Sequence, residues 1–202
     1  MGYNSNIHHR RSIRLKGYDY SQAGLYFITI CCQSRNCLFG EISTVAMSDV
    51  GTRQGVSLTT IGQIANEYWL EIPQHFPNVV LHEHIVMPNH VHGVIEITGV
   101  AIHDDMSAPV VVGTSHGMSL QQPPQPNQNQ FGKPISGSIS IIVNQYKSSV
   151  KRWCNKNGHD YFKWQSRFHD HIIRNEQSYQ NISEYIINNP VKWKDDKFFR
   201  NK

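Results

Sequence analysis

The sequence predicts an α+β fold: a four-stranded antiparallel sheet with two helices on one face and an extra C-terminal helix. Three observations carry that expectation. Four short segments, Leu25–Cys32, Val79–Met87, His90–Thr98 and Phe168–Arg174, read as strands from their β-branched and aromatic residues and their alternation. Three longer segments repeat apolar residues at helical spacing. The order is strand, helix, strand, strand, helix, strand, helix, and its first six elements match the split βαβ or ferredoxin-like pattern.

Each element has a local reason. Residues 1–24 read as a basic, irregular arm, and LYFITICC at Leu25–Cys32 is the first strand. Residues 33–58 are turn-rich, with Phe39, Gly40 and Glu41 in a short hairpin. Thr59 or Thr60 caps a helix that carries Ile61, Ile64, Ala65, Tyr68 and Trp69 on one face; Pro73 and Pro77 punctuate its end. Val79–Met87 and His90–Thr98 meet at the Pro88-Asn89 turn and form a hairpin. Residues 99–134, with Gln121 to Pro126 reading QQPPQP, form a flexible polar insert within a single domain spanning residues 1–202. Ser136 or Ser138 starts the second helix, whose apolar face is Ile139, Ile142, Val143, Tyr146, Val150 and Trp153. Asn175 caps the last helix, Glu176 suits its first turn, and Pro190 stops it. That helix is free to cover an end of the sheet or part of its other face.

Composition narrows the function classes. No apolar run approaches the roughly 18 residues of a membrane span, and the polar, basic N-terminus does not read as a secretory signal. Cys31, Cys32, Cys37 and Cys154 form no CxxC pair, and Cys31 and Cys32 point to opposite faces of a strand. Reduced thiols and a cytoplasmic location fit better than a disulfide framework. The net charge of +4 is clustered: Arg10, Arg11, Arg14 and Lys16 in the arm, Lys147, Lys151, Arg152 and Lys156 along the second helix, and a run of lysines near the C-terminus, diluted by Asp195 and Asp196. Such clusters suit a polyanion.

Twelve histidines direct attention to metals, and three HxH pairs stand on strands: His82/His84, His90/His92 and His169/His171. Residues two apart on a strand share a face, so each pair can grip a divalent ion. On the third strand His90, His92, Val94 and Glu96 point one way, while Val91, Gly93, Ile95 and Ile97 form an apolar face for the helices. His82 and His84 read as polar residues of a half-buried strand, and His169 and His171 as supports flanking Asp170. On the last helix Tyr185 and Asn189 are four apart and project together. The amide oxygen can complete a three-ligand shell with two imidazoles, and the phenol can attack a metal-bound phosphate. Tyr146 is the rival nucleophile, but its i+4 partner Val150 ligates nothing.

Met87-Pro88-Asn89-His90-Val91-His92 resembles the HUH motif (histidine–hydrophobic–histidine) of single-tyrosine transposases, and in particular that of REP-associated tyrosine transposases. The likeness extends to RLKGYDY at Arg14–Tyr20, to WQSRFHDHIIRN at Trp164–Asn175, and to YIINNPV at Tyr185–Val191. It implies that His90, His92 and Asn189 bind Mg²⁺ or Mn²⁺. It implies that Tyr185 cleaves single-stranded DNA carrying hairpins (repetitive palindromic elements), forming a 5′-phosphotyrosine link that a 3′-OH later reseals. It further implies a monomer, with dimers known among related transposases. Arg10, Arg11, Arg14, Lys16, Lys147, Lys151, Arg152, Arg167 and Arg174 are candidate DNA contacts, with Tyr18, Tyr20 and Tyr26 as stacking candidates. Two alternatives stand beside this reading: a non-catalytic DNA-binding domain of the same fold acting on repetitive palindromic DNA, and a metal hydrolase in which water attacks.

Overall fold

Aromatic and β-branched side chains fill Gly24–Cys31, and in the computed structural model this segment is β1, an inner strand of the main sheet. The structure describes residues 18–46, 52–99 and 135–199, which fall in one compact unit formed by residues 1–99 and 134–202. Most of the basic arm, including Arg10, Arg11, Arg14 and Lys16, lies outside the described residues, as does residue 100 onward of the polar insert.

The elements follow in chain order: β2 (Gly40–Ala46), β3 (Thr52–Leu58), α1 (Thr60–Leu70), the one-turn α2 (Ile72–His75), β4 (Val79–Met87), β5 (His90–Ile97), α3 (Ile139–Lys156), β6 (His169–Ile173) and α4 (Glu176–Asn188). The main sheet has the order β4-β5-β1-β6 with every pairing antiparallel. This is the arrangement expected of a split βαβ chain. The hairpin around Gly40 is longer than expected: β2 and β3 pair from Gly40↔Leu58 to Ala46↔Thr52 as a separate two-stranded sheet.

Caps set the helix starts. The Gly62 N–H donates to Thr59 Oγ1 at 3.2 Å ahead of α1, and the Ser178 N–H donates to Asn175 Oδ1 at 2.8 Å ahead of α4. Ser138 stands at the N-cap of α3 without a side-chain cap bond.

Alternation along the strands then divides the molecule. Ile28, Ile30, Val91 and Ile95 face α1 and α3, packing with Trp69, Ile142, Val143 and Tyr146 in the main core. Gly93 lies on this same face for a steric reason: a Cβ there would come within 2.3 Å of Trp69 Cζ2, so only bare backbone admits the indole. On the opposite face, Val94 and Phe27 pack with Ile182 and Ile186, so α4 covers part of the sheet's other side. Cys31 and Cys32 are both buried, one in each face's cluster, and all four cysteines are free thiols.

Strict alternation fails once. The β4–β5 register shifts between Leu81 and His84, a bulge that inserts an extra residue. His82 and Glu83 therefore both reach α4: His82 Nδ1 meets Tyr179 Oη at 3.1 Å while its Nε2 meets Glu96 Oε2 of β5 at 2.8 Å, and Glu83 accepts from Tyr179 Oη at 3.0 Å and Ser183 Oγ at 2.9 Å. His84 turns the other way, pairing with Asn66 Oδ1 at 3.0 Å and stacking on Trp69. The expectation that His82 and His84 share a face is corrected: the bulge separates them, so they cannot act as a metal-gripping pair.

Candidate active site

His90 and His92 occupy alternate positions of β5 and project from the α4 side of the sheet, where both are almost fully buried. Their other ring nitrogens are held. Asn89 donates its amide to the carbonyls of Arg35 at 3.1 Å and Phe198 at 2.9 Å, which leaves Asn89 Oδ1 to accept from His90 Nδ1 at 2.8 Å. That contact places the proton of His90 on Nδ1. A bare lone pair remains on His90 Nε2, buried with no hydrogen-bond partner among the described residues. Thr29, directly opposite His92 in register, holds His92 Nδ1 at 2.9 Å. Burial lowers His90 to about 3, against the pull of Asp196, and lowers His92 well below the usual range, aided by neighbouring His90. Both imidazoles are thus neutral near pH 7, the form that ligates a metal.

α4 delivers the next two groups. Tyr185 and Asn189 sit one turn apart and both reach this centre. Tyr185 Oη lies 3.2 Å from His92 Nε2 and donates to Asp196 Oδ2 at 3.1 Å; its ring packs edge-on against Phe27 and His92. Burial, then the Asp196 carboxylate, pushes the phenol up to about 12. Asn189 Nδ2 donates to Asp196 Oδ2 at 3.1 Å, and its buried Oδ1 has no hydrogen-bond partner among the described residues. Two unpartnered buried lone pairs, His90 Nε2 and Asn189 Oδ1, are costly unless something electropositive meets them.

Asp196 escaped the sequence reading. It follows a 3-10 turn, Trp193–Asp195, and its Oδ1 accepts from the Phe198 N–H at 2.6 Å. Ligand atoms of His90, His92 and Asp196 lie within 4.8 Å of one another. With Asn189 bonded to Asp196, the donor set of imidazoles, carboxylate and amide suits a divalent cation. The only sequence trace of this role was an acid beside Asp195 that interrupted the basic C-terminal run. No period links Asp196 to Asn189, because Pro190 and the turn lie between them.

The remaining candidates disperse. Tyr146 is buried in the main core, its hydroxyl donating to Ala65 O at 2.9 Å on the far side of the sheet. His169 and His171 pair with Thr29 and Phe27 on the edge strand β6 and are exposed. Lys147, Lys151 and Arg152 border one groove with Lys163, but two are already engaged: Lys147 Nζ donates to Gln165 O at 2.7 Å, and Lys151 Nζ to Phe162 O at 2.7 Å. Arg167 and Arg174 are exposed on either side of β6. Tyr26 is core, as its strand position suggested, and half-buried Tyr18 and Tyr20 pack against the same cluster.

No helix among the described residues is long and apolar enough to cross a membrane, and no family model matches the chain. An uncharacterized protein of Haemophilus influenzae is 40% identical over 197 residues, covering 98% of this chain and 97% of its own length. Among solved structures, a REP-associated tyrosine transposase bound to a REP hairpin superposes with a TM-score of 0.52 at 20% identity, covering 90% of this chain and 74% of that one. The chain therefore belongs to the family of the Haemophilus influenzae protein and has the fold of that transposase.

Proposed function

We propose that the chain is a tyrosine transposase that cleaves and rejoins hairpin-bearing single-stranded DNA, such as repetitive palindromic elements. One observation carries the reading: a phenol on α4, Tyr185, stands 3.2 Å from a histidine of the buried HxH pair, and Asn189 at the end of the same helix bonds Asp196 of that centre while its amide oxygen has no hydrogen-bond partner among the described residues. The likeness to a solved transposase bound to a REP hairpin supports the choice of substrate.

In this reading Tyr185 Oη attacks the scissile phosphorus. The P–O bond to tyrosine forms, the P–O3′ bond breaks, and the freed strand leaves with a 3′-OH. The phenol proton passes to Asp196 Oδ2, which already accepts it in a hydrogen bond, and from there to the departing 3′ oxygen. That acceptor matters because the site holds the phenol's pKa near 12, so unaided ionisation is rare. His90, His92 and Asn189, with Asp196 beside them, would hold Mg²⁺ or Mn²⁺, which withdraws charge from the phosphate when bound. Asn89 and Thr29 orient the two imidazoles. Arg10, Arg11, Arg14, Lys16, Lys147, Lys151, Arg152, Arg167 and Arg174 supply phosphate contacts. Because Tyr185 reaches histidines of its own chain, a monomer suffices.

The test is a denaturing gel with a labelled hairpin-bearing single strand, with Mn²⁺ or EDTA. The wild type should form a covalent protein–DNA adduct that EDTA prevents, and Tyr185→Phe should form none while binding the hairpin nearly as well. Binding without any adduct would point to the non-catalytic domain, and cleavage without an adduct to a water-using hydrolase.

A further inference from the structure

A second cavity adjoins the metal centre. It has a volume of about 280 Å³, and its lining includes Thr29 and Cys31 of β1 and Phe198. Thr29 is the residue that holds His92 Nδ1, so cleft and centre share a wall. Three permanent cations, Arg35, Arg167 and Lys197, line the cleft, and among the described residues no carboxylate does. Arg35 and Lys197 both lie over the Phe198 ring, at 5.1 and 5.0 Å. Arg35 uses one N–H on Lys197 O at 2.7 Å, and its fork carries further donors. Three cations around a small space repel one another, and an anion seated among them relieves that repulsion. The volume is near the lower end of the roughly 300–1,000 Å³ typical of small-molecule sites. It suits one nucleotide and is too small for a duplex stem.

The proposed chemistry says which nucleotide. After cleavage the downstream strand is tied covalently to Tyr185, whereas the upstream strand is tied to nothing. Rejoining is the reverse displacement: the 3′ oxygen attacks phosphorus, the P–O bond to Tyr185 breaks, and the hydroxyl proton returns to the phenolate. That step is efficient only if the 3′ end stays beside the centre at high effective concentration. Resting on the tyrosine transposase reading, we propose that this cleft is the holding site for the 3′-terminal nucleotide of the leaving strand. Arg35, Arg167 and Lys197 grip its phosphate.

The experiment uses the full chain with Mn²⁺, a labelled hairpin strand to load the tyrosine, and a separate oligonucleotide with a free 3′-OH to accept it. Adduct formation and rejoining are timed separately for wild type, Arg167→Ala and Lys197→Ala. Loss of one charge-assisted phosphate contact should raise the 3′-OH strand concentration needed for half-maximal rejoining roughly tenfold more than it slows adduct formation. The salt dependence of that concentration should flatten by about one unit of slope per residue removed, and Arg167→Lys should restore the slope. Binding of the 3′-OH strand alone, read by fluorescence anisotropy, should weaken in the same order. Equal losses in both steps would put the downstream strand in the cleft, and no loss in either would empty it of any DNA role. Both results overturn this proposal while the wild-type adduct keeps the transposase reading intact. A wild type that forms no adduct overturns both.

Discussion

On one face of the sheet, Ile28, Ile30, Val91 and Ile95 meet α1 and α3; on the other, the residues between them, Thr29, His90, His92 and Val94, meet α4 and the C-terminal segment. Polar groups occur on both faces but are treated differently. On the helix face Tyr146 donates to a backbone carbonyl and His84 pairs with Asn66. Trp69 Nε1 has no hydrogen-bond partner there among the described residues, but an indole N–H is a donor and cannot bind a cation. On the α4 face two acceptors, His90 Nε2 and Asn189 Oδ1, have no hydrogen-bond partner among the described residues. One set of strands thus carries a face built for stability and a face that gives up some stability to keep lone pairs available.

The sharpest contrast compares one aromatic from each face. Trp69 is fully buried against Tyr146, His84 and Gly93, and truncating it to alanine removes a large side chain from the core. Trp69→Ala should cost about 3–5 kcal/mol in urea unfolding. Tyr185 is 38% exposed, and Tyr185→Phe removes only a hydroxyl that touches His92 and Asp196. Its cost should be under about 1 kcal/mol. Equal losses from the two would deny that the faces divide stability from chemistry.

Acid should attack the α4 face next. His90 titrates near 3 in the folded chain and at 6.5 when unfolded, and His92 is lowered as well. Below pH 6.5 the unfolded chain takes up protons that the folded chain refuses, so stability is complete above 6.5 and is lost as pH falls. His90 contributes about 1.4 kcal/mol per pH unit over that range. For the metal-free protein, His90 should account for about 1.4 kcal/mol of the loss between pH 7.5 and 5.5, and His92 adds to it in the same direction. His84 and His169 are lowered by burial too, so the measurement is a difference. A His90→Gln/His92→Gln variant should lose that much less than wild type over the same interval; an unchanged pH slope would show that the pair is not held neutral.

Most of this division was readable from the chain. The period of two in β5 put histidines and apolar residues on opposite faces, and the spacing of Tyr185 and Asn189 put phenol and amide on one face of a helix. The bulge in β4 was not readable: HEH at His82–His84 looks like regular alternation, and only pairing with β5 and contacts to Tyr179 and Ser183 show where the extra residue goes. Asp196 was hidden for a different reason. Its position depends on Trp193 and Phe198 packing with Met87 and Cys31, a tertiary contact with no sequence period. The cleft beside the site depends likewise on Arg35, more than 160 residues from Lys197 in the chain, meeting its carbonyl.

The smallest expected effect asks whether the α4 face can loosen alone. Thr59 and Asn175 do the same job, each accepting one backbone N–H at a helix start, and replacing either by alanine should cost about 1 kcal/mol. Their surroundings differ. α1 is bound into the main core through Ile61, Ala65 and Trp69, whereas α4 rests on a smaller cluster of Val94, Ile173 and Ile186. Thr59→Ala should therefore weaken hydrogen-exchange protection across the whole sheet. Asn175→Ala should lower it roughly fivefold in α4 and leave β1 and β5 unchanged, because a helix with few core contacts can open as its own unit. If Asn175→Ala instead lowered protection in β5 as much as in α4, the tyrosine helix would be part of the core's cooperative unit, and the functional face would open only when the stable face does.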